Sequence, residues 1–439
     1  MTATYPGGLK SFSQRTDAVD DILATDVNQA YDEIEAIEAE LGLDPADKTG
    51  GTAGAYATVK ARMDKAHRAA TFVVAASDAL ADSKQFADYS GDGVADDVQI
   101  NAAIAAAGAG KVELTEGGFD CVSAIVYPTS VPIRVVGQGL PAPGVAPVTL
   151  ATVLNFALTG TCVQFANDAS AQGLEYVDIE GDGVNTTYAV DLLGSTAFKV
   201  LKYVRASSML TGGFHGTSGN SQNEFHRVYC RDLLTGFAMY GNDNKYYFCQ
   251  AMRSSGAGIG SSVRGFLTQE TAPVYVGCMA ERYTLGFEFA AFAKQPSLIG
   301  CHAEACKRSF AAGGSSPNEP QGGNLIGFRS TNASDATLAA IDIGRVAGLV
   351  IVNPSVSGTT SGKDIESAST SVGVTLVGGD VTGTITWDAA QVMSILGKVS
   401  GYTPTPAITG DISAYNETTF KAVLTELARH GRITDSTTT

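Results

Sequence analysis

Between Tyr176 and Asp380 short apolar or aromatic runs alternate with clusters of Gly, Asn, Ser and Asp, and an apolar doublet or triplet followed by a small residue or cysteine returns about once in 25 residues. The anchors are Tyr176-Val177-Asp178, Tyr203-Val204-Arg205, Val228-Tyr229-Cys230, Tyr247-Phe248-Cys249, Val276-Gly277-Cys278, Ile299-Gly300-Cys301, Ile326-Gly327-Phe328, Val352-Asn353-Pro354 and Val377-Gly378-Gly379. Their steps are 27, 25, 19, 29, 23, 26, 26 and 25 residues. A unit of this size is too short for a propeller blade and lacks a leucine-rich consensus. It fits one coil of a right-handed parallel β-helix, built of two or three short strands, with equivalent positions on successive coils roughly 4.8 Å apart.

Stacking places like residues over like. Cys230, Cys249, Cys278 and Cys301 fall on the same anchor position and predict an inward ladder of free thiols acting as small, polarizable core residues. The alternatives are disulfides or a metal site. Seven cysteines, with Cys121, Cys162 and Cys306, is an odd number, and no pair has C-x-x-C spacing, which favours reduced structural thiols in a chain folded in a cytosol.

Before the repeats the period changes. Leu23, Val27, Ala30, Ile34, Ile37 and Leu41 are spaced 4, 3, 4, 3 and 4, a heptad seam that predicts a coiled coil, with Ile34 and Ile37 leaning towards more than two strands. Gly42 and Pro45 end that helix. After a Gly- and Thr-rich hinge, Val59, Met63, Ala66, Ala70 and Val73 suggest a shorter continuation of the stalk. Near the other end Phe420, Val423, Leu424 and Leu427 lie along a short helix.

The chain has 439 residues, 44% of them hydrophobic, enough for two or three domains and a long core. Fifty glycines with 17% charged residues suit turns and strands. A formal charge of −16 argues against nucleic acid as a partner, since phosphate binding needs a basic stripe. No stretch approaches the length of a membrane span and no signal peptide is evident, so a soluble protein made inside a cell is expected.

Asp88 to Cys121 adds a resemblance to the repeat. Its acidic turn, a short helix from Asp97 to Ala107 with Ile100 and Ile104 on one face, the turn at Gly108 and Gly110 and the strand into Glu116-Gly117-Gly118-Phe119 resemble the opening segment of the pectate-lyase-like superfamily. Ile133-Arg134-Val135-Val136-Gly137-Gln138-Gly139 resembles that family's first full strand and turn. The same fold occurs in many bacteriophage tailspikes, where this segment caps the N-terminal end of the β-helix. Tyr5-Pro6-Gly7-Gly8-Leu9-Lys10-Ser11-Phe12, with the acidic heptad run from Asp26 to Gly42, looks like the start of phage tail and fibre proteins. Asn416 to Thr434 resembles short terminal helices of phage structural proteins. A fold shared by lyases, hydrolases and inert fibres fixes no activity by itself.

Candidate chemistry is sparse. Glu281 lies three residues after Cys278 and Glu304 three after Cys301, so the two carboxylates are expected to stack on neighbouring coils. Their side chains can splay to the ~5 to 9 Å used by glycosidases, and like charges that close make one group retain its proton, as a general acid needs. His302 and Arg282 are near in sequence, and Asp178, Glu180, Asp182 and Asp232 offer further acids. Tyr240, Tyr246 and Tyr283, with Tyr188 and Tyr247, are candidate platforms for sugar rings, although aromatic ladders also fill β-helix interiors. Asp88, Ser90 and Asp92 occupy calcium-loop positions, but Gln99 stands where a bidentate Glu belongs, so an acidic turn capping the helix is the better reading. No metal or cofactor is expected. The five histidines, His67, His215, His226, His302 and His430, form no recognisable triad and carry no assigned role.

Together these features predict an all-β solenoid with residues 1–22 for virion attachment, 23–85 as coiled-coil stalk and hinge, 86–395 as β-helix and 396–439 as C-terminal linker and helix. The resemblance implies a homotrimeric phage tail fibre or tailspike, assembled in the host cytoplasm. It would join other tail or baseplate proteins through its N-terminal segment, insert into no membrane and bind host surface polysaccharide. Hydrolysis of that polysaccharide and a purely structural role in tail, baseplate or head remain open alternatives.

Overall fold

The computed structural model describes residues 71–396 apart from 141–150, 167–170, 195–196, 255–262, 314–317, 368–370, 372 and 388–392. Among these residues the chain winds into a parallel β-solenoid whose strands form a 23-stranded and an 11-stranded sheet. Every strand pair described is parallel, and partners are one coil apart, as in Glu224↔Lys245, Lys245↔Val274, Val274↔Ser297 and Ser297↔Asn324. The larger sheet is folded into two ladders. One holds short strands such as Glu224–His226, Lys245–Tyr247 and Val274–Val276; the next holds Tyr229–Arg231, Gln250–Met252 and Met279–Glu281.

Each coil bends between these ladders at one residue with positive φ. Tyr176, Tyr203, Arg227 and Phe248 occupy this corner in four coils, then Gly277, Gly300, Gly327, Asn353 and Gly378. Left-handed backbone is cheap for glycine and costs bulky residues roughly 1 kcal/mol or more. The early coils therefore carry strain that the later ones avoid.

The core is a set of axial files. On the 11-stranded sheet Phe214, Phe237, Phe266 and Phe287 stack with ring centroids 5.1, 4.7 and 4.7 Å apart. Facing them Phe225, Tyr246 and Tyr275 stack at 4.8 and 4.3 Å. Each aromatic pair adds about 0.5–1.5 kcal/mol beyond the burial of its area.

All seven cysteines are free and buried. Cys249, Cys278 and Cys301 form the expected ladder, their thiols donating to the carbonyls of Phe225, Tyr246 and Tyr275 at 3.4, 3.5 and 3.5 Å. Cys230 is a correction to that expectation. It registers with Ala251, two residues beyond the ladder, while Gln250 N reaching Val228 O puts Val228 in the file of Cys249. The anomalous 19-residue step arose from this slip: hydrophobic smallness alone does not distinguish Val228 from Cys230.

The N-terminal end is closed by the helix Asp96–Ala107, which buries Ile100, Ala103, Ile104 and Ala107. A cap of this kind hides strand edges that would otherwise pair with other chains. Its acids do the tethering. Asp97 Oδ1 accepts Val122 N–H at 2.9 Å, Asp96 Oδ2 accepts Asp120 N–H at 2.9 Å, and Asp92 Oδ1 accepts Val94 and Ala95 N–H at 2.9 and 3.0 Å.

The stalk boundary moves. Thr71–Ala75 is a strand that registers with Lys111–Leu114, so residues 71–85 belong to the solenoid and Val73 is a strand residue, not a seam position. Tertiary pairing overrides its helical spacing. The heptad seam from Leu23 to Leu41, the attachment segment and the C-terminal helix lie outside the described residues.

Candidate functional site

The outward face of the second ladder is polar. Residues pointing out alternate with Cys230, Ala251, Ala280 and Ala303 pointing in, all essentially unexposed. Within it Met279–Glu281 pairs with His302–Glu304, and the register is Met279↔His302 and Glu281↔Glu304. The two carboxylates therefore occupy equivalent positions on adjacent coils, as the cysteine spacing predicts, with Cα atoms roughly 4.8 Å apart by strand geometry.

The surroundings of the pair are asymmetric. Arg282, at a second positive-φ corner (φ 58°), returns onto its neighbour, with Nη1 2.9 Å from Glu281 Oε1. The same Nη1 donates to Arg253 O at 3.2 Å, which pins the guanidinium. Glu281 has a side chain only 12% exposed. His302 lies on the same face as Glu304, two residues before it, and its Nε2 is 2.8 Å from Thr331 Oγ1. Burial, assisted by the Arg329 charge, holds its pKa below the usual histidine value, against the weaker opposing pull of Glu304 and Glu281. At neutral pH the patch thus joins two carboxyl groups, a neutral imidazole and a clamped guanidinium.

Three of the four further acids are structural, and the fourth, Glu180, is exposed. Asp178 is buried and takes Arg205 Nε at 2.8 Å. Asp182 accepts the N–H groups of Val184, Asn185 and Thr186 at 3.0, 2.8 and 2.9 Å, which pull its pKa far below the carboxylate range. Asp232 holds Ser254 through N–H and hydroxyl at 2.6 and 2.8 Å.

Two of the three tyrosines expected to face a sugar do not. Tyr246 and Tyr283 have no exposed surface, so neither ring offers a face to a ligand. Tyr246 is a member of the inner aromatic file, and its hydroxyl donates to the interior Glu270. Tyr283 fills the interior corner beside the thiols. Alternation within a strand sets inside from outside, and tyrosine is common in both places. Tyr240 is partly exposed, but it projects from Thr235–Asn242 on the 11-stranded sheet, so the solenoid separates it from the acid pair rather than joining the two.

Beside Tyr240 lies a cluster that motif reasoning passes over. His215 Nδ1 is 2.9 Å from Asp191 Oδ1, and the His215 ring stacks on Tyr188 with centroids 4.5 Å apart. The readable signal was the separation of 24 residues, one coil, between Asp191 and His215. A recess of about 560 Å³ lined by Thr71, Ser83, Phe86, Glu113 and Gln138 lies at the capped end and touches neither cluster.

No protein-family model matches the chain. No curated protein matches it either. Among solved structures, it is similar to the gp42 tailspike of Acinetobacter phage AS12 at 10% identity and a TM-score of 0.43, over 69% of this chain and 60% of that one. It is also similar to the catalytic domain of a GH87 α-1,3-glucanase (10% identity, TM-score 0.47, 73% of this chain and 67% of that one). A third similar structure is a double mutant of the tailspike of E. coli bacteriophage HK620 (11% identity, TM-score 0.48, 84% of this chain and 71% of that one).

Proposed function

We propose that the chain is a tail fibre or tailspike of a bacteriophage virion that binds a glycan of the host surface and hydrolyses it at Glu281 and Glu304. The observation that carries this reading is the register match of those two carboxylates on an outward, polar face, with His302 alongside and Arg282 clamped to one member only. Glycoside hydrolysis uses two carboxyl groups in unequal roles, separated by ~5 Å for retention and more for inversion. Glu281, balanced by Arg282, suits the carboxylate that attacks or activates water. Glu304 suits the group that passes a proton to the leaving oxygen, and His302 a hydroxyl of the bound sugar.

The fibre is read as a homotrimer of solenoids lying side by side, attached to tail or baseplate partners through residues 1–22. Its support is a file of outward apolar residues, Tyr247↔Val276↔Ile299↔Ile326↔Val352↔Val377, running straight along the first ladder. Ile299 and Ile326 are 38% and 40% exposed, and Phe248 at the adjoining corner is 53% exposed. A continuous apolar stripe roughly 24 Å long, from five steps of strand spacing, is what a partner surface covers. A second copy entering from the same heptad bundle meets it in matching axial direction.

The test is incubation of the purified fibre with a panel of bacterial capsular and O-antigen polysaccharides, reading reducing-end release and retention of intact polymer. Release by the natural protein that vanishes in the Glu281→Gln, Glu304→Gln variant supports hydrolysis. Retention without release makes it a non-hydrolytic adhesin. Neither, across the panel, leaves the structural-fibre reading and removes the glycan.

A further inference from the structure

The 11-stranded sheet carries the Asp191, His215, Tyr188 and Tyr240 cluster, which the hydrolytic reading does not use. Asp191 and His215 are register partners on the strands Tyr188–Leu192 and Gly212–Ser221, so both side chains point outward, one coil apart. Their side chains are 13% and 20% exposed, far lower than for solvated surface residues, and they hold each other through the 2.9 Å contact. With Nδ1 engaged, Nε2 is the imidazole atom left for another group. Tyr188 lies flat over the next coil because its register partner is Gly212, where a Cβ would stand 3.2 Å from the Tyr188 ring. On the other side Tyr240 meets His215 edge-on at 6.2 Å and 68°. The next residue in the outward file is Ala238, a small side chain that is itself 8% exposed.

One wall is built separately. The strand Gly212–Ser221 breaks register between Gly216 and Asn220, lifting Thr217, Ser218 and Gly219 out of the ladder beside Tyr240. Bulges re-aim side chains and are enriched beside functional sites. This one is held from inside: Asn220, unexposed, donates through Nδ2 to the carbonyls of Thr217 and Tyr240 and accepts Asn244 Nδ2 at 2.9 Å. Thr217 Oγ1 accepts Gly194 N–H at 2.7 Å, which fixes the outer rim. The interior of the protein thus supports an outward patch made of an imidazole, a carboxylate, two phenols and a bulged backbone segment.

We infer that this patch is a second glycan-binding site, distinct from the acid pair and on another sheet, which holds one hexose unit of the host polysaccharide without cutting it. The chemistry fits a neutral sugar. Asp191 Oδ2 accepts a hydroxyl proton, His215 Nε2 donates or accepts at the neighbouring hydroxyl, and the Tyr240 ring covers the apolar C–H face of the pyranose. Fixed aromatic and amide-held walls lose little conformational freedom on binding, which suits weak sites multiplied along a fibre. The inference rests on the reading that the chain binds a glycan.

The experiment uses the full chain and, as probe, the polysaccharide best retained in the panel, immobilised on a sensor surface. A His215→Gln, Tyr240→Ala variant is expected to lose at least about tenfold in retention, whereas Glu281→Gln, Glu304→Gln retains polymer and loses only release. In parallel, histidine carbethoxylation is read by mass spectrometry on the natural protein. Polysaccharide should protect His215 several-fold and leave His226, on the other sheet, unchanged. A natural protein that retains polymer while the His215→Gln, Tyr240→Ala variant retains it equally overturns the second site alone. So does retention with no protection of His215. A natural protein that neither retains polymer nor releases reducing ends overturns both readings together, and one that releases without retaining overturns the second site alone.

Discussion

Tyr246 and Glu270 meet inside the solenoid, the phenol donating to Glu270 Oε1 at 2.8 Å in a region with no exposed surface. Asn244 Nδ2 donates to the other oxygen at 2.8 Å. Despite these bonds, burial pushes the Glu270 carboxyl up to about 7. The folded chain therefore keeps a proton that the unfolded chain releases near 4.5. Above the unfolded value the unfolded state binds fewer protons, so stability falls as pH rises from about 4.5 to about 7 and then levels off. The full effect is about 3 kcal/mol for a shift of this size. Melting curves at pH 5 and pH 8 should show the natural protein losing several degrees more than Glu270→Gln. Parallel curves for the two proteins would rule the carboxyl out as the cause.

Glu281 and Glu304 should be inequivalent to substitution. If Glu304 passes the proton, Glu304→Gln should cost about 10² to 10⁴ in release from an unactivated glycan, in the range of general acid catalysis, and much less from an aryl glycoside with a good leaving group. Glu281→Gln should abolish release from both. An equal loss on both substrates for the two variants would exchange or remove these roles.

Gly277 and Gly300 separate strain from collision. Both have φ near +60°, but a Cβ at Gly277 would lie 2.7 Å from the Phe248 ring, whereas nothing lies within 4 Å of one at Gly300. Gly300→Ala should cost about 1 kcal/mol from backbone strain alone. Gly277→Ala should cost more, and the excess should disappear in the Phe248→Ala background. Denaturant midpoints on the four proteins test the coupling, and an excess that survives loss of the ring would place its origin elsewhere.

Ile299→Asp with Ile326→Asp should leave the coil intact, because both side chains point outward, and should split the assembly. Sedimentation is expected to give trimers for the natural chain and smaller species for the variant, with unchanged circular dichroism. A variant that stays trimeric would move the contact to another face.

The solenoid was legible because a repeat near 25 residues imposes one spacing on every coil, and Glu281 and Glu304 inherit their pairing from Cys278 and Cys301 three residues before. Phase was harder. Cys230 and Val228 are both small and apolar, so only the backbone bond from Gln250 to Val228 fixes which one joins the ladder. Side was harder still for tyrosine: Tyr246 and Tyr247 are neighbours, and strand alternation sends one to the core and the other to the surface. The Asp191 and His215 dyad shares no motif, because its geometry comes from stacking two coils and not from proximity along the chain.

Parallel pairing between successive coils also sets how the molecule carries force. The backbone bonds that join one coil to the next run along the long axis, so a pull on the two ends loads all the bonds at one level together. No disulfide is present among the buried thiols to bypass a level that opens. Resistance is then that of the poorest level, and the described ladder has two irregular ones, at Gly216/Asn220 and Lys363/Ile365. Under tension along its axis the solenoid would yield first at these seams, leaving the stacks on either side wound.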